Sequence, residues 1–299
     1  MATYKFGVPP FMTNIFTSPF AGTNDSISAL TAADFTINGN GGNDQVTTAS
    51  GNDTITTAAG NDSIKAGDGN NTVNAGSGTN SVTAGSGNDT VTTGSGTDVI
   101  KAGDGNNTVD AGDGTNNVTT GSGNDTITTG AGIDRIKAGE GNDIIVAGAG
   151  NDKIDAGAGD DSINAGEGND TVIAGAGTDT IIGGGGHDTF KYQSLSDALS
   201  GLDTISDFST ASPVLAGEGD VLKLNGLVGD FTGAGYATLA KLVASGHLSF
   251  SGDSESTVIS FDSNGDTAGG DVGVLVNLTG VPFTTEANAV IAFEDNIAF

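Results

Sequence analysis

"AGSGNDTVTTGSGTDVIK", residues 84–101, is two nonapeptides in succession, each a Gly-x-Gly-x-Asp run with one apolar residue two places after the Asp. The frame continues in both directions without a break from Gly39 to Lys191, seventeen repeats over 153 of 299 residues. With Ala84 as position one, position four is Gly in all seventeen, and position eight is Val, Ile or Phe in all seventeen. Position two is Gly in fourteen; Asn40, Ala49 and Ala58 are the exceptions, all at the N-terminal end. A Gly/Asn/Thr-rich linker has no reason to keep phase for so long, so the period marks a repeat architecture.

Each position has its own physical reason. Gly at two and four opens backbone angles closed to other residues, letting the chain turn tightly and approach an ion. Positions seven to nine read as a short strand, in which side chains alternate between faces. Position eight therefore points inward while seven and nine meet solvent. Two such units make one turn of a flattened helix of strands and bury two thin rows of Val and Ile. One aliphatic side chain per nine residues is a thin core against the entropy of ordering two glycines, so a further binding term is required.

Position six supplies it. It is Asp at Asp44, Asp53, Asp62, Asp89, Asp98, Asp125, Asp134, Asp143, Asp152, Asp161, Asp170, Asp179 and Asp188, and Asn at Asn71, Asn80, Asn107 and Asn116. One carboxylate and several carbonyls aimed at a common point give an all-oxygen ligand set, which suits Ca²⁺. The pattern x-G-x-G-[ND]-[DN]-x-U-x closely resembles the calcium-binding RTX nonapeptide over the whole repeat block. That resemblance implies an all-β fold, a right-handed parallel β-roll with two nonapeptides per turn and Ca²⁺ held between successive turns on both edges. On the order of a dozen ions would nearly cancel the net charge. Asn offers a neutral oxygen, so weaker binding is expected at the four Asn repeats. These recur 36 residues apart because residues 66–101 and 102–137 are near copies, identical at 28 of 36 positions.

Composition agrees with a cation as partner. Thirty-seven Asp and Glu stand against nine Lys and Arg, a formal charge of -28, which argues against nucleic acid and anionic membranes. The chain has no Cys, excluding disulfides and thiolate metal sites. No run of 18 apolar residues spans a membrane. "MATYKFGVPPFMTNIFTSPF" (1–20) has no uninterrupted apolar core and does not read as a cleaved secretory signal.

The two faces of such a roll differ. The six basic residues within the repeats, Lys65, Lys101, Arg135, Lys137, Lys153 and Lys191, all fall on odd-numbered repeats. Even-numbered repeats expose Thr54, Thr56, Thr72, Thr90, Thr92, Thr108, Thr126 and Thr128, then Ile144 and Val146. A flat Thr-rich face can meet a second regular surface, a copy of itself or ice; equally, Thr simply suits outward strand positions. Asn74, Asp110, Asn164 and Ile182 interrupt the Thr pattern.

Both ends change character. Residues 1–38 form an aromatic-rich segment with Phe6, Phe11, Phe16 and Phe20, which either cap the first turn or dock on a neighbouring molecule. "AGTNDSIS" (21–28) looks like a nonapeptide lacking its second Gly, so the roll is able to begin before the 39–191 block. Residues 192–299 read as β-rich, with alternating stretches such as "STVISFD" and "DVGVLVNL". "DTFKYQSLSDALSGLDTISDFS", "GDVLKLNGL" and "HLSFSGDSESTVISFDSNGD" resemble, in order, the C-terminal target domain of type I-secreted RTX proteins. "EDNIAF" resembles its uncleaved signal. This resemblance implies the type I secretion machinery as a partner and an extracellular or cell-surface place outside a Gram-negative bacterium. "DSNGDTAGGD" (262–271) offers Asp262, Asn264 and Asp266 as ligands for one more Ca²⁺, or makes a plain Asx-rich turn.

Little of the sequence is left over for catalysis. His187 and His247 are the only histidines, neither lies in H-E-x-x-H, and no G-x-S-x-G is present. The expectation is a non-enzymatic protein that folds on calcium after secretion and self-associates as a structural or adhesive surface component. A free effector of the nodulation-signalling or membrane-acting type is the alternative, and ice binding a lesser one.

Overall fold

A computed structural model describes residues 2–6, 15–18, 21–193, 200–208, 220–223, 248–252, 256–262 and 272–279. It is an all-β parallel solenoid of about 10 turns, with no helix among the described residues. The chain divides into two compact units, Met1–Lys153 and Ile154–Phe299.

In the first unit, successive strands fall alternately on two parallel ladders. One ladder orders Ala2–Phe6, Asp25–Ala29, Gln45–Thr48, Ser63–Lys65, Ser81–Ser86, Val99–Asp104, Asn117–Thr120 and Arg135–Glu140. The other orders Ile15–Thr17, Thr36–Asn38, Thr54–Thr56, Thr72–Gly76, Thr90–Thr93, Thr108–Asp110, Thr126–Thr128 and Ile144–Val146. Partners stand 18 residues apart through the exact repeats, as in Thr90↔Thr108 and Val91↔Val109, so one turn is two nonapeptides. "AGTNDSIS" does join the ladder: Ser26 pairs with Gln45 and Ile27 with Val46.

The strand alternation places position eight inside. Val46, Ile55, Ile64, Val91, Ile100, Val118 and Ile127 are all 0–1% exposed. Position one joins them as a second inward row that periodicity alone did not mark. Ala66, Ala75, Ala84, Ala102 and Ala111 are fully buried. Where position one is Thr, its hydroxyl donates to the carbonyl 18 residues on, 3.1 Å from Thr57 to Ala75, 2.8 Å from Thr93 to Ala111 and 2.7 Å from Thr120 to Ala138. The polar atom of a buried Thr is thus spent on the next turn, which makes the substitution for Ala tolerable.

The two glycine positions differ in strictness for a visible reason. At position two, Asn40 and Ala58 adopt φ of 60° and 70°, the left-handed region that L residues enter at modest cost. Position four is positive in every repeat, from 99° in Gly42 to 156° in Gly60, whereas position two is not positive at Ala49, Gly94, Gly121 and Gly130 and elsewhere reaches no more than 126°, in Gly139. Only Gly occupies the position-four range readily, which accounts for its presence at position four of every repeat.

In the second unit, Thr171–Ala176, Thr189–Lys191 and Val221–Lys223 pair in parallel. So do Ser162–Glu167, Thr180–Gly185, Asp203–Ile205 and Val272–Thr279. The stretch "STVISFD" forms Ser256–Asp262, which pairs antiparallel with both Val272–Thr279 and Leu248–Gly252. Phe190 closes the row of position-eight residues and packs against Phe208, ring centroids 5.9 Å apart.

Candidate calcium sites

Every position-six residue of the exact repeats is buried, between 0 and 2% exposed. Its Oδ1 accepts the backbone N–H of the position-six residue one turn earlier: Asp44 to Asp62 at 2.7 Å, Asn80 to Asp98 at 2.7 Å, Asn107 to Asp125 at 2.7 Å and Asn116 to Asp134 at 2.7 Å. Its own carbonyl accepts from the following strand, as in Ser63 N–H to Asp44 at 2.8 Å and Thr72 N–H to Asp53 at 2.7 Å. One residue type therefore ties three turns together, and its carboxylate is fixed in orientation by the backbone.

The second carboxylate oxygen is the notable atom. Oδ2 of Asp44, Asp53, Asp62, Asp89, Asp98, Asp125, Asp134, Asp179 and Asp188 is buried and takes no hydrogen bond. Such an oxygen is costly unless a cation or a proton meets it. It turns back across its own repeat: a Cβ placed on Gly39 would lie 2.1 Å from Asp44 Oδ2, and one on Gly183 2.5 Å from Asp188 Oδ2. Among the described residues no three His, Cys, Asp or Glu side chains converge, so a cation held here would draw most of its ligands from loop carbonyls. Orphaned carboxylate oxygens in a glycine loop rich in carbonyls fit a hard divalent cation.

The electrostatics point the same way. Burial raises Asp44 to about 6, with the Asp62 and Asp25 carboxylates adding to the rise and the Asp25 N–H opposing it. Burial likewise brings Asp89, Asp143 and Asp188 to about 6. A folded value above the unfolded one, about 3.9, favours folding below the unfolded pKa, and that contribution disappears as pH rises through the folded one. Without metal, the roll is therefore favoured by acid and opposed at neutral pH. In excess chelator, lowering the pH from 7.5 to 4.5 is expected to increase the β-sheet signal in circular dichroism; a random-coil spectrum at both would show that protons do not relieve these oxygens.

Where position six is Asn, the side chain keeps the same anchor. Asp53 N–H donates to Asn71 Oδ1 at 3.0 Å and Asp89 N–H to Asn107 Oδ1 at 3.0 Å. The second atom is now a donor. Asn107 Nδ2 donates to the Gly103 and Gly105 carbonyls, both at 2.9 Å, and Asn71 Nδ2 to those of Gly67 and Gly69 at 3.2 and 3.1 Å.

The structure adds residues that the repeat frame did not include. Asp203 and Asp220 are buried in the same role, and Asp25, also buried, donates its N–H to the first aspartate of the frame while its own carboxylate takes the Thr23 hydroxyl at 3.3 Å. Asp25 N–H donates to Asp44 at 2.9 Å, Asp179 N–H to Asp203 at 2.9 Å and Asp188 N–H to Asp220 at 2.9 Å. The last two links span 24 and 32 residues instead of 18, across insertions that break the count. "GLDTI" and "GDVLK" had nevertheless kept the Asp-x-apolar signal. Asp203 Oδ2 accepts the Tyr192 hydroxyl at 2.6 Å, and burial pushes its carboxyl up to about 7.

A second stitch runs at position five, on the exposed rim. Asn52 Oδ1 accepts from Asn70 N–H, Asn70 from Asn88, Asn88 from Asn106 and Asn106 from Asn124, at 2.7 to 2.8 Å. It runs opposite in direction to the Asp stitch. His187 occupies position five and donates its N–H to Asn169 at 2.8 Å. Of the additional site at 262–271, Asp262 ends a strand, and Asn264 and Asp266 lie outside the described residues, as do His247, Phe11, Phe20 and "EDNIAF".

The family model of the RTX calcium-binding nonapeptide repeat matches overlapping segments from 22–55 to 155–190, which together cover residues 22–190 without a gap. That is more than half of the chain. No curated protein matches it.

Proposed function

Since the chain belongs to the family of proteins built on RTX calcium-binding nonapeptide repeats, we propose that calcium folds it outside the cell and that the folded roll is a self-associating structural or adhesive element of the cell surface. Calcium binding and a secreted type of protein come with the family. In this reading the ligands are the repeat aspartates with their loop carbonyls, and residues 192–299 carry the address for type I secretion.

The observation that carries the structural role is the chemical division between the two ladders of the first unit. On one ladder, exposed Lys65 and Lys101 both pair with Thr83, and Thr119 lies between Lys101 and Lys137. On the other, Thr36, Thr54, Thr72, Thr90, Thr108 and Thr126 form an unbroken exposed column at position seven. The interrupting Asn74 and Asp110 belong to position nine, one column over. Each column repeats about every 4.8 Å. Two flat periodic faces, one bearing the basic groups and one without them, suit sheet-like packing of copies.

Sedimentation in chelator and then in millimolar Ca²⁺ tests this. An expanded monomer that grows into large assemblies is the expected result. Compaction to a stable monomer would exclude intrinsic self-assembly and leave a free secreted effector, while an unchanged particle would contradict calcium-driven folding.

A further inference from the structure

We propose that the four repeats with Asn at position six bind no calcium, because each side-chain amide satisfies from within the loop carbonyls that a cation would need. The inference deepens the calcium reading above and rests on it.

The argument is one of atom identity at fixed geometry. Asp and Asn are isosteric, and both anchor Oδ1 to the N–H one turn earlier: Asp44 to Asp62 at 2.7 Å, Asp62 to Asn80 at 3.1 Å, Asp98 to Asn116 at 3.1 Å. The anchor leaves the other terminal atom facing the loop. In Asn80 it donates to the Gly76 carbonyl at 3.1 Å and reaches that of Gly78 at 3.5 Å; in Asn116 it donates to the Gly112 carbonyl at 3.0 Å. With Asn71 and Asn107, all four amides address the position-two carbonyl of their own repeat, and three address position four as well. In Asp89 or Asp98 the same anchor turns an acceptor into the loop, where its Oδ2 remains without a donor. An acceptor among acceptors requires a cation; a donor among acceptors does not. Nor does Asn keep an oxygen for the metal, since its only side-chain oxygen is already turned to the neighbouring turn.

The distribution of these residues is ordered. One edge reads Asp62, Asn80, Asp98, Asn116, Asp134; the other reads Asp53, Asn71, Asp89, Asn107, Asp125. From Asp62 to Asp134 on one edge and from Asp53 to Asp125 on the other, then, a self-closed turn separates each pair of metal-requiring turns. The spacing between neighbouring cation sites there rises from ~4.8 to ~9.6 Å, which halves the repulsion between like charges. The Tyr192 hydroxyl on Asp203 Oδ2, at 2.6 Å, is the same device in other chemistry, an internal donor meeting the second oxygen.

Counting ions decides the matter. The full-length protein and a variant carrying Asn71→Asp, Asn80→Asp, Asn107→Asp and Asn116→Asp are dialysed against saturating Ca²⁺ at pH 7.5. Bound metal is measured by atomic absorption and folding by circular dichroism. The variant is expected to hold about four more ions per chain. It should also need more calcium to reach half-folding. An equal count in two folded proteins overturns the proposal. Because added carboxylates can prevent folding, the reciprocal variant Asp89→Asn with Asp98→Asn is measured too. It should lose about two ions and fold at lower calcium; an undiminished count again overturns the proposal. Wild-type protein that folds with no bound calcium would instead refute the reading on which it rests, a distinct result.

Discussion

Transfer of the folded protein into excess chelator at pH 7.5 is expected to abolish its parallel β-sheet, and millimolar Ca²⁺ to restore it in one steep transition. The structure supplies the reason. At least nine buried carboxylate oxygens have no hydrogen-bond donor. The formal charge of -28 counts these carboxylates among its thirty-seven acidic groups, against nine basic ones. Extracellular modules bind Ca²⁺ with Kd of about 10⁻⁴ to 10⁻³ M, so millimolar calcium is about a tenfold excess over the tighter sites. Each such site then adds about 1.4 kcal/mol to the folded state, and nine sites add more than ~10 kcal/mol. That equals the whole net stability of an ordinary domain, about 5–15 kcal/mol. The self-closed Asn turns do not rescue the metal-free fold, since on each edge they alternate with Asp turns and never form a contiguous block. Circular dichroism against free calcium is the measurement. A chain that keeps its β-sheet signal in chelator would show that hydrogen bonds and the aliphatic rows suffice alone, and calcium would then be an accessory of the fold.

The period makes most of this legible in the sequence itself. Gly at four, Asp at six and an aliphatic residue at eight each answer a steric, electrostatic or packing demand that recurs every turn, so one repeat read correctly gives seventeen. What stayed hidden depends on direction. Position five is mostly Asn, yet nothing in its identity says that Oδ1 of Asn52 reaches forward to Asn70 while Oδ1 of Asp62 reaches back to Asp44. Likewise, Asn71 in a row of aspartates looks like a weaker oxygen ligand. Only with Oδ1 engaged by Asp53 does its nitrogen prove to be the atom in the loop.

The ends were hidden for another reason. Asp203 and Asp220 do the work of position six, but insertions of unequal length displace them from the nine-residue count. A solenoid tolerates such insertions because a turn needs only its strand, its loop aspartate and its inward residue in register. Ile205 pairs with Ile181, and Leu222 with Phe190, as any repeat would. Fixed spacing is a sufficient sign of a turn here, not a necessary one.

Gly114→Ala is expected to be among the most damaging single substitutions in the roll. Gly114 sits at position four with φ of 129°, where an L side chain is strained before any contact is considered. Its N–H donates to the Ala131 carbonyl at 2.7 Å, so rotating the backbone to relieve that strain breaks a link to the next turn. A Cβ there would lie 1.5 Å from the Gly96 carbonyl oxygen and 2.6 Å from its carbon. The obstacle is backbone held by its own ladder, with no flexible side chain to move aside. Gly22 is the control. It also has positive φ, 75°, but nothing within 4 Å of an added Cβ. Gly22→Ala should cost only the left-handed penalty, about 1–2 kcal/mol, whereas Gly114→Ala should exceed ~4 kcal/mol, the range of diagnostic core lesions. Thermal melts of both variants in saturating Ca²⁺ make the comparison. Equal destabilisation would mean that adjacent turns part easily at position four, and that its Gly answers to φ alone; a much larger loss at Gly114 would show that turn-to-turn contact there is what excludes every other residue.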